Sequence, residues 1–285
     1  MVLGNIFLNV GQCGNQVGRS FLTSLNDYHS KNSDFIGGSQ YMNPSNYTNA
    51  ILIDTEPKVI RHILENQQKN FKVHKDQTFY FNYGRGNNWA MSYSTVDHFD
   101  DLNSHFCHLN KRQRSLKHTG IIEENSAIID ATIERARKFL ERLDYFRNFN
   151  LIFGIAGGTG SGLSSRLLEV LKENFHDCQI NSFVVFPRDK GELPLQYYNS
   201  LLTLQRLQEH SDSIIYFNNG NVLKYLTDSY SQTQDGTITI PRTTKIAHKP
   251  NPTPTNPFSD DFPKPAQSLA QKTVNFDLMN DYIGN

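Results

Sequence analysis

Six short, mostly apolar runs recur along the chain: Ile6–Val10, Ala50–Ile53, Thr78–Phe81, Leu151–Ile155, Asn181–Phe186 and Ser213–Phe217. Runs of this kind belong to strands covered on both faces. Between them lie stretches of helical spacing, Gln16–Tyr28, Pro57–Asn66, Asn125–Phe146, Leu163–Phe175 and Leu195–His210. Asn125–Phe146 has the clearest stripe, with Ile128, Ile129, Ile133, Ala136, Leu140 and Leu143 along one side. Strand then helix, repeated, predicts an α/β fold. The expected form is a doubly wound, mostly parallel sheet with helices on both faces and ligand loops at the strands' carboxyl ends.

Three segments depart from this rhythm. Ser30–Asn49 is rich in Asn, Ser and Gly and reads as a loop; His98–Gly120, with Lys111-Arg112-Gln113-Arg114, reads as a surface insertion. That basic cluster is either a solvated face or a contact for an acidic partner. In Ser229–Lys272 Ser, Thr, Gln and Pro dominate, and seven of the eleven prolines fall between Pro241 and Pro265. Such a stretch buries too little apolar surface to offset its ordering entropy, so residues 229–272 are expected to form a disordered insert or extended tether. Thr273–Asn285 regains apolar residues, Phe276, Leu278, Met279, Tyr282 and Ile283, and reads as the start of a helix.

The charge balance excludes some functions. With 28 basic and 28 acidic residues the chain offers no broad field for nucleic acid or an anionic membrane. Cys13, Cys107 and Cys178 are too scattered for a disulfide framework or a paired metal site, and reduced thiols point to the cytoplasm. The N-terminus lacks the basic start of a signal peptide, and no apolar stretch approaches the ~20 residues of a membrane span.

The strongest chemical signal is Ala156-Gly157-Gly158-Thr159-Gly160-Ser161-Gly162, after one apolar run and before a helical one. Glycines at a strand-to-helix turn let backbone N–H groups approach phosphate oxygens, and the helix N-terminus adds partial positive charge. Thr159 and Ser161 bring hydroxyl donors. The Gly-Lys-Ser/Thr ending of a P-loop is missing, and the turn follows the fourth run rather than the first, which weighs against a dinucleotide fold.

This string resembles the tubulin signature Gly-Gly-Gly-Thr-Gly-Ser-Gly, with Ala156 in place of the first glycine. Four further matches follow in family order: Gly11-Gln12-Cys13-Gly14-Asn15-Gln16, Ala50-Ile51-Leu52-Ile53-Asp54-Thr55-Glu56-Pro57, Gly86-Asn87-Asn88-Trp89-Ala90, and Tyr198-Asn199. Residues 56–60, 156–163 and 196–204 most resemble the delta type within the family. The resemblance covers residues 1–228, a tubulin-like nucleotide-binding domain with an insertion at about 98–120, and resumes at 273–285 as the start of a central helix. The chain therefore resembles the N-terminal half of a tubulin, either a fragment or a half-length paralogue.

The resemblance implies a ligand, GTP or GDP with Mg²⁺, and a task for each matched residue. Gly11, Gln12, Cys13 and Gln16 open the first helix towards phosphate and base. Ala156, Gly157, Gly158, Thr159 and Gly160 wrap the phosphates. Gly86 and Asn87 reach the terminal phosphate, with Asn88 supporting their loop. Glu192 and Gln196 meet the ribose, Asn219 and Asn280 read guanine, and Phe276 stacks on it. Asp54 and Glu56 hold the metal through water, as a reluctantly dehydrated hard ion requires; Asp54 also suits a cap for the helix at Pro57. Arg85 replaces a small residue and either pairs with the triphosphate or points to solvent. Trp89 reads as core, and no catalytic residue is assigned.

Functionally, the resemblance implies a GTP-binding component of microtubule-based centriole, basal-body or axonemal assemblies in the cytoplasm and cytoskeleton. Its partners would be other tubulins, the microtubule lattice and ciliary proteins, without nucleic acid or membrane. Alternatives are an assembly-dependent GTPase, at most weak without a partner subunit, and a half-length protein that caps or decorates microtubules without hydrolysis. A nicotinamide dehydrogenase, suggested by the architecture alone, would bind NADH tightly and GTP not at all.

Overall fold

A computed structural model describes residues 3–31, 47–96, 116–143, 145–187 and 194–232. Among these residues six strands form one sheet: β1 (Leu3–Val10), β2 (Ala50–Asp54), β3 (Thr78–Tyr80), β4 (Tyr145–Gly154), β5 (Gln179–Phe186) and β6 (Ser213–Asn218). Every pairing is parallel, in the order β3-β2-β1-β4-β5-β6. The helices are α1 (Gly11–Lys31), α2 (Pro57–Glu65), α3 (Trp89–Tyr93), α4 (Leu116–Leu140), α5 (Thr159–Asn174), α6 (Gln196–His210) and α7 (Asn219–Gln232). They cover both faces, as the alternation of strand and helix predicts.

Two apolar layers sandwich the sheet. Alternate side chains of β1 divide between them, Ile6, Leu8 and Val10 to one face and Phe7 to the other. The first face packs against Ile128, Ile129, Ile133, Ala136 and Phe139 of α4, Leu163, Leu167, Leu168 and Leu171 of α5, and Leu207 of α6. The second packs against Val17 and Leu22 of α1, Ile60 and Ile63 of α2, and Val222 of α7. Burial on both faces explains why β2 is apolar up to its last residue.

Boundaries differ from the sequence reading where tertiary contacts override local pattern. α4 begins at Leu116, inside the expected insertion, and ends at Leu140 instead of Phe146. Lys117-His118-Thr119-Gly120 has loop-like composition, but continues a helix anchored further on by the sheet. Residues 145–150, divided between helix and loop in the sequence reading, are the first half of β4. Their polar members hide the strand period, and Asn150 meets its own kind across the ladder: Asn181 Nδ2 donates to Asn150 Oδ1 at 3.2 Å. α1 starts at Gly11 rather than Gln16 because its first turn faces the rim of the sheet, where no apolar stripe is needed. The expected tether at 229–272 begins within α7, and the remainder, with Thr273–Asn285 and the basic cluster at 111–114, lies outside the described residues.

Candidate functional site

The progress of the chain through the sheet reverses between β1 and β4. α1 leaves β1 towards one face and α5 leaves β4 towards the other, opening a crevice over the carboxyl ends of the two central strands. Both helices present their unpaired first-turn N–H groups and positive dipole ends there. The two turns touch. Gly11 has φ +74°, and a Cβ on it would lie 2.9 Å from the amide nitrogen of Gly160, while one on Gly160 would lie 2.7 Å from the Gly154 carbonyl. At Gly157 and Gly86, by contrast, an added Cβ meets nothing among the described residues within 4 Å. Those two glycines face open space, where an anion can approach the backbone.

The loop beyond β3 closes the crevice from the side. Asn88 N–H donates to the Arg85 carbonyl at 3.1 Å, across Gly86 and Asn87 at φ +55° and +52°. Two successive left-handed residues make a turn of the primed kind, tolerable to glycine and asparagine. The Asn88 side chain then caps α3, accepting from Ala90 N–H at 3.0 Å. A Cβ on Gly158 would lie 2.7 Å from the Asn88 nitrogen, so the two phosphate-type loops also touch.

Asn199 of α6 ties these loops together. Its Nδ2 donates to the carbonyls of Asn87 at 2.8 Å, Ala156 at 3.0 Å and Gly157 at 3.2 Å, while its Oδ1 accepts from Trp89 N–H at 3.0 Å. In the sequence Asn199 stands only as part of a motif, with no role of its own. An amide in the first turn of a helix is the available signal. A second link runs from Thr55 Oγ1 to Thr159 Oγ1 at 2.6 Å. The Ser161 hydroxyl, expected to serve a ligand, is fully buried and bonds the carbonyls of Gly157 and Gly158, so it shapes the glycine turn instead. Trp89 is buried, with its indole N–H on Ser165 Oγ at 3.1 Å.

Asp54 and Glu56 stand at the mouth of β2. Asp54 Oδ1 accepts from Thr55 N–H at 2.8 Å and Glu56 N–H at 3.3 Å, bracing the turn into α2. Glu56 itself occupies the cap position, so Asp54 is not the cap. Burial pushes the Asp54 carboxyl up to about 7, and the Glu56 carboxylate adds to this against the pull of the two N–H groups. The folded chain therefore holds this proton more tightly than the unfolded one. Its contribution to stability is complete below the ordinary carboxyl pKa and is lost as pH rises through about 7. The full loss is on the order of 4 kcal/mol. Asp54→Asn, neutral throughout, is expected to flatten the decline, read by urea unfolding from about pH 5 to about pH 8. An undiminished slope in this variant would show that another group carries it.

The remaining residues vary. Gln12 is exposed and Gln16 half-buried in the first turns of α1. Cys13 lies against Gly154, and burial pushes its thiol up to about 12, so it is a protonated contact and not a nucleophile. Gln196 is buried, with an Nε2 that finds no hydrogen-bond partner among the described residues. A buried amide donor of this kind suits a bound hydroxyl. Asn219 opens α7 on the same rim, two strands from β4, with Asn218 capping that helix through Gly220 N–H at 2.8 Å. Arg85 neither faces the crevice nor points to solvent: its side chain is buried and pairs with Glu124 at 3.0 Å. Glu192, Phe276 and Asn280 lie outside the described residues.

A family model described as Tubulin/FtsZ family, GTPase domain, matches residues 5–101 and 97–227. The chain belongs to the tubulin family. It is 30% identical to the tubulin gamma chain of Eremothecium gossypii over 259 residues, covering 80% of this chain and 47% of that one. It is 30% identical to the tubulin gamma chain of Candida glabrata over 237 residues, 76% and 44% of the two chains. The tubulin delta chain of Homo sapiens is 29% identical over 236 residues, 77% and 46%. The chain spans about half the length of these curated relatives. The matched model describes a GTPase domain, a class whose ligand is GTP or GDP. None of its described helices is long and apolar enough to cross a membrane.

Proposed function

We propose that this tubulin-family domain binds one guanine nucleotide in the crevice between β1 and β4. The carrying observation is the Asn199 amide, which joins the Asn87 turn to the glycine turn beside the N-termini of α1 and α5. Gly157, Gly158, Thr159, Gly160 and Ala156 would wrap the phosphates, with Gly11, Gln12, Cys13 and Gln16 opposite. Gly86 and Asn87 would meet the terminal phosphate and Asn88 hold their turn. Glu192 and Gln196 would bind the ribose; Asn219, Asn280 and Phe276 would bind the base.

Mg²⁺ fits the donor set: two carboxylates, one buried and one exposed, beside a phosphate turn and within reach of water. Asp54 and Glu56 would hold it, and it would neutralise phosphate charge. A carboxyl kept near neutrality by burial gives up its proton as a dication approaches, so nucleotide binding in Mg²⁺ should release protons. Calorimetry in buffers of different ionisation enthalpy tests this. GTP binding with Mg²⁺-dependent proton release is expected, and NADH should produce no heat. Heat with NADH and none with GTP would restore the dehydrogenase reading.

Within the family we assign the chain to the delta type, on residues 56–60, 156–163 and 196–204. The role that follows is structural, in centriole, basal-body or axonemal microtubules, with other tubulins and basal-body or ciliary proteins as partners. An assembly-dependent GTPase or a cap on microtubule ends is the second reading, and nucleotide turnover measured with and without microtubules separates the two. A tagged chain is expected at centrioles or basal bodies, whereas concentration solely at spindle poles would remove the delta assignment.

A further inference from the structure

Arg85 carries a full charge into the core immediately beside the turn proposed to receive the terminal phosphate. Its side chain has no exposed surface. Burial alone lowers the affinity of a guanidinium for its proton, and Glu124 opposes that effect. All three nitrogens of the fork donate: Nη1 to the Tyr83 carbonyl at 2.7 Å, Nη2 to Glu124 Oε2 at 3.0 Å, and Nε and Nη2 to Asn125 Oδ1 at 3.1 and 3.0 Å. Glu124 and Asn125 both belong to α4.

α4 holds the rest of the segment as well. Asn125 Nδ2 donates to the carbonyls of Met91 and Ser94, each at 2.9 Å, and Ser126 Oγ accepts from Val96 N–H at 2.9 Å. Three consecutive residues of one helix thus grip a stretch of about a dozen residues that begins at the Gly86–Asn87 turn. The turn is held on one side by Asn199 and on the other by Arg85. Its two left-handed residues are unfavourable in isolation for the asparagine, so the flanking contacts set their geometry. Only a planar donor fork reaches acceptors in the turn's own loop and on two neighbouring helical residues; an ammonium group would keep the charge and lose the geometry.

We infer that Arg85 is a positioning residue, which holds the Gly86–Asn87 turn in its phosphate-receiving form and ties that turn to α4, so that occupancy of the terminal-phosphate position and packing of α4 stabilise each other. This rests on the nucleotide reading above. Coupling of this kind is reciprocal, since whatever the terminal phosphate gains from an ordered turn, α4 gains from the terminal phosphate.

The test compares GTP and GDP affinities in the wild-type chain, Arg85→Lys and Glu124→Gln, together with hydrogen exchange of residues 116–140. A purely structural role lowers both affinities equally. The positioning role predicts that Arg85→Lys loses about tenfold more affinity for GTP than for GDP. It also predicts that GTP protects α4 more than GDP does in the wild type, and no longer in the variant. Glu124 is partly exposed, so Glu124→Gln should fold even where Arg85→Lys does not, and should shift the ratio the same way by a smaller factor. An unchanged ratio in whichever of the variants fold, with the wild type binding normally, overturns the inference alone. A wild-type chain that binds neither nucleotide overturns the nucleotide reading and this one with it.

Discussion

Asn199→Asp is expected to cost more stability than Asn199→Ala, although it is the smaller change in shape. The amide serves four backbone groups at once, donating to the carbonyls of Asn87, Ala156 and Gly157 and accepting from Trp89 N–H. Alanine leaves those groups to relax or find water, at on the order of 3 kcal/mol. Aspartate retains the acceptor but turns a second oxygen towards three carbonyl oxygens, in a position only 3% exposed. An ionised carboxylate there is desolvated and surrounded by like partial charges, so the loss should approach about 5 kcal/mol above neutral pH. The introduced carboxyl should take up a proton more readily in the folded chain than in the unfolded one. The variant therefore regains stability as pH falls, while the alanine variant does not. Urea unfolding of both at two pH values reads the difference directly, and parallel profiles would mean that Asn199 does not hold the loops as described. Both variants should also lose guanine nucleotide, because the Asn87 turn and the glycine turn would no longer be held together.

The second large effect concerns two helical glycines with opposite expected signs. Helix propensity alone favours alanine over glycine by about 1 kcal/mol in a helix interior. Among the described residues a Cβ on Gly120 in α4 meets nothing within 4 Å, so Gly120→Ala should gain about that much. A Cβ on Gly162 in α5 would run into the Trp89 carbonyl and lie 2.7 Å from Ser92 Cβ and 3.0 Å from the Tyr93 nitrogen. The obstacle is largely backbone, which cannot rotate away as a side chain can. α3 would have to move, and with it the Trp89 and Tyr93 rings, stacked at 4.1 Å, and the Trp89 bond to Ser165. Gly162→Ala should therefore lose about 3 kcal/mol. It should also weaken nucleotide binding, since α3 continues directly from the Asn87 turn. Thermal unfolding of the two variants side by side gives the result, and a shared sign would show that propensity, not close approach, governs Gly162.

The fold was legible in the sequence because its dominant force is periodic. Strands buried on both faces read as apolar runs, and helices against a sheet carry a stripe, so all six strands could be read from pattern. What escaped was polar material inside ordered elements. β4 was shortened because Asn148 and Asn150 interrupt its apolar run, and only the neighbouring strand supplies a partner for Asn150. α4 was started nine residues late because its first turns look like loop. α3 went unread because five residues carry too little pattern to distinguish helix from turn.

For the site, glycines at strand-to-helix junctions and motifs in order along the chain pointed to phosphate, since close backbone approach restricts those positions to glycine wherever the chain runs. Local sequence leaves Asn88 a support of its loop by resemblance alone, and its capping of α3 is a finding of the structure. Nor could local sequence foresee that Ser161 turns inward, that Thr55 meets Thr159, or that Arg85 is buried against Glu124 and Asn125. Those pairings join residues far apart along the chain, and no local preference encodes them. They exist because the winding of the chain about β1 and β4 brings separate loops to one rim, where each polar group needs a partner or water.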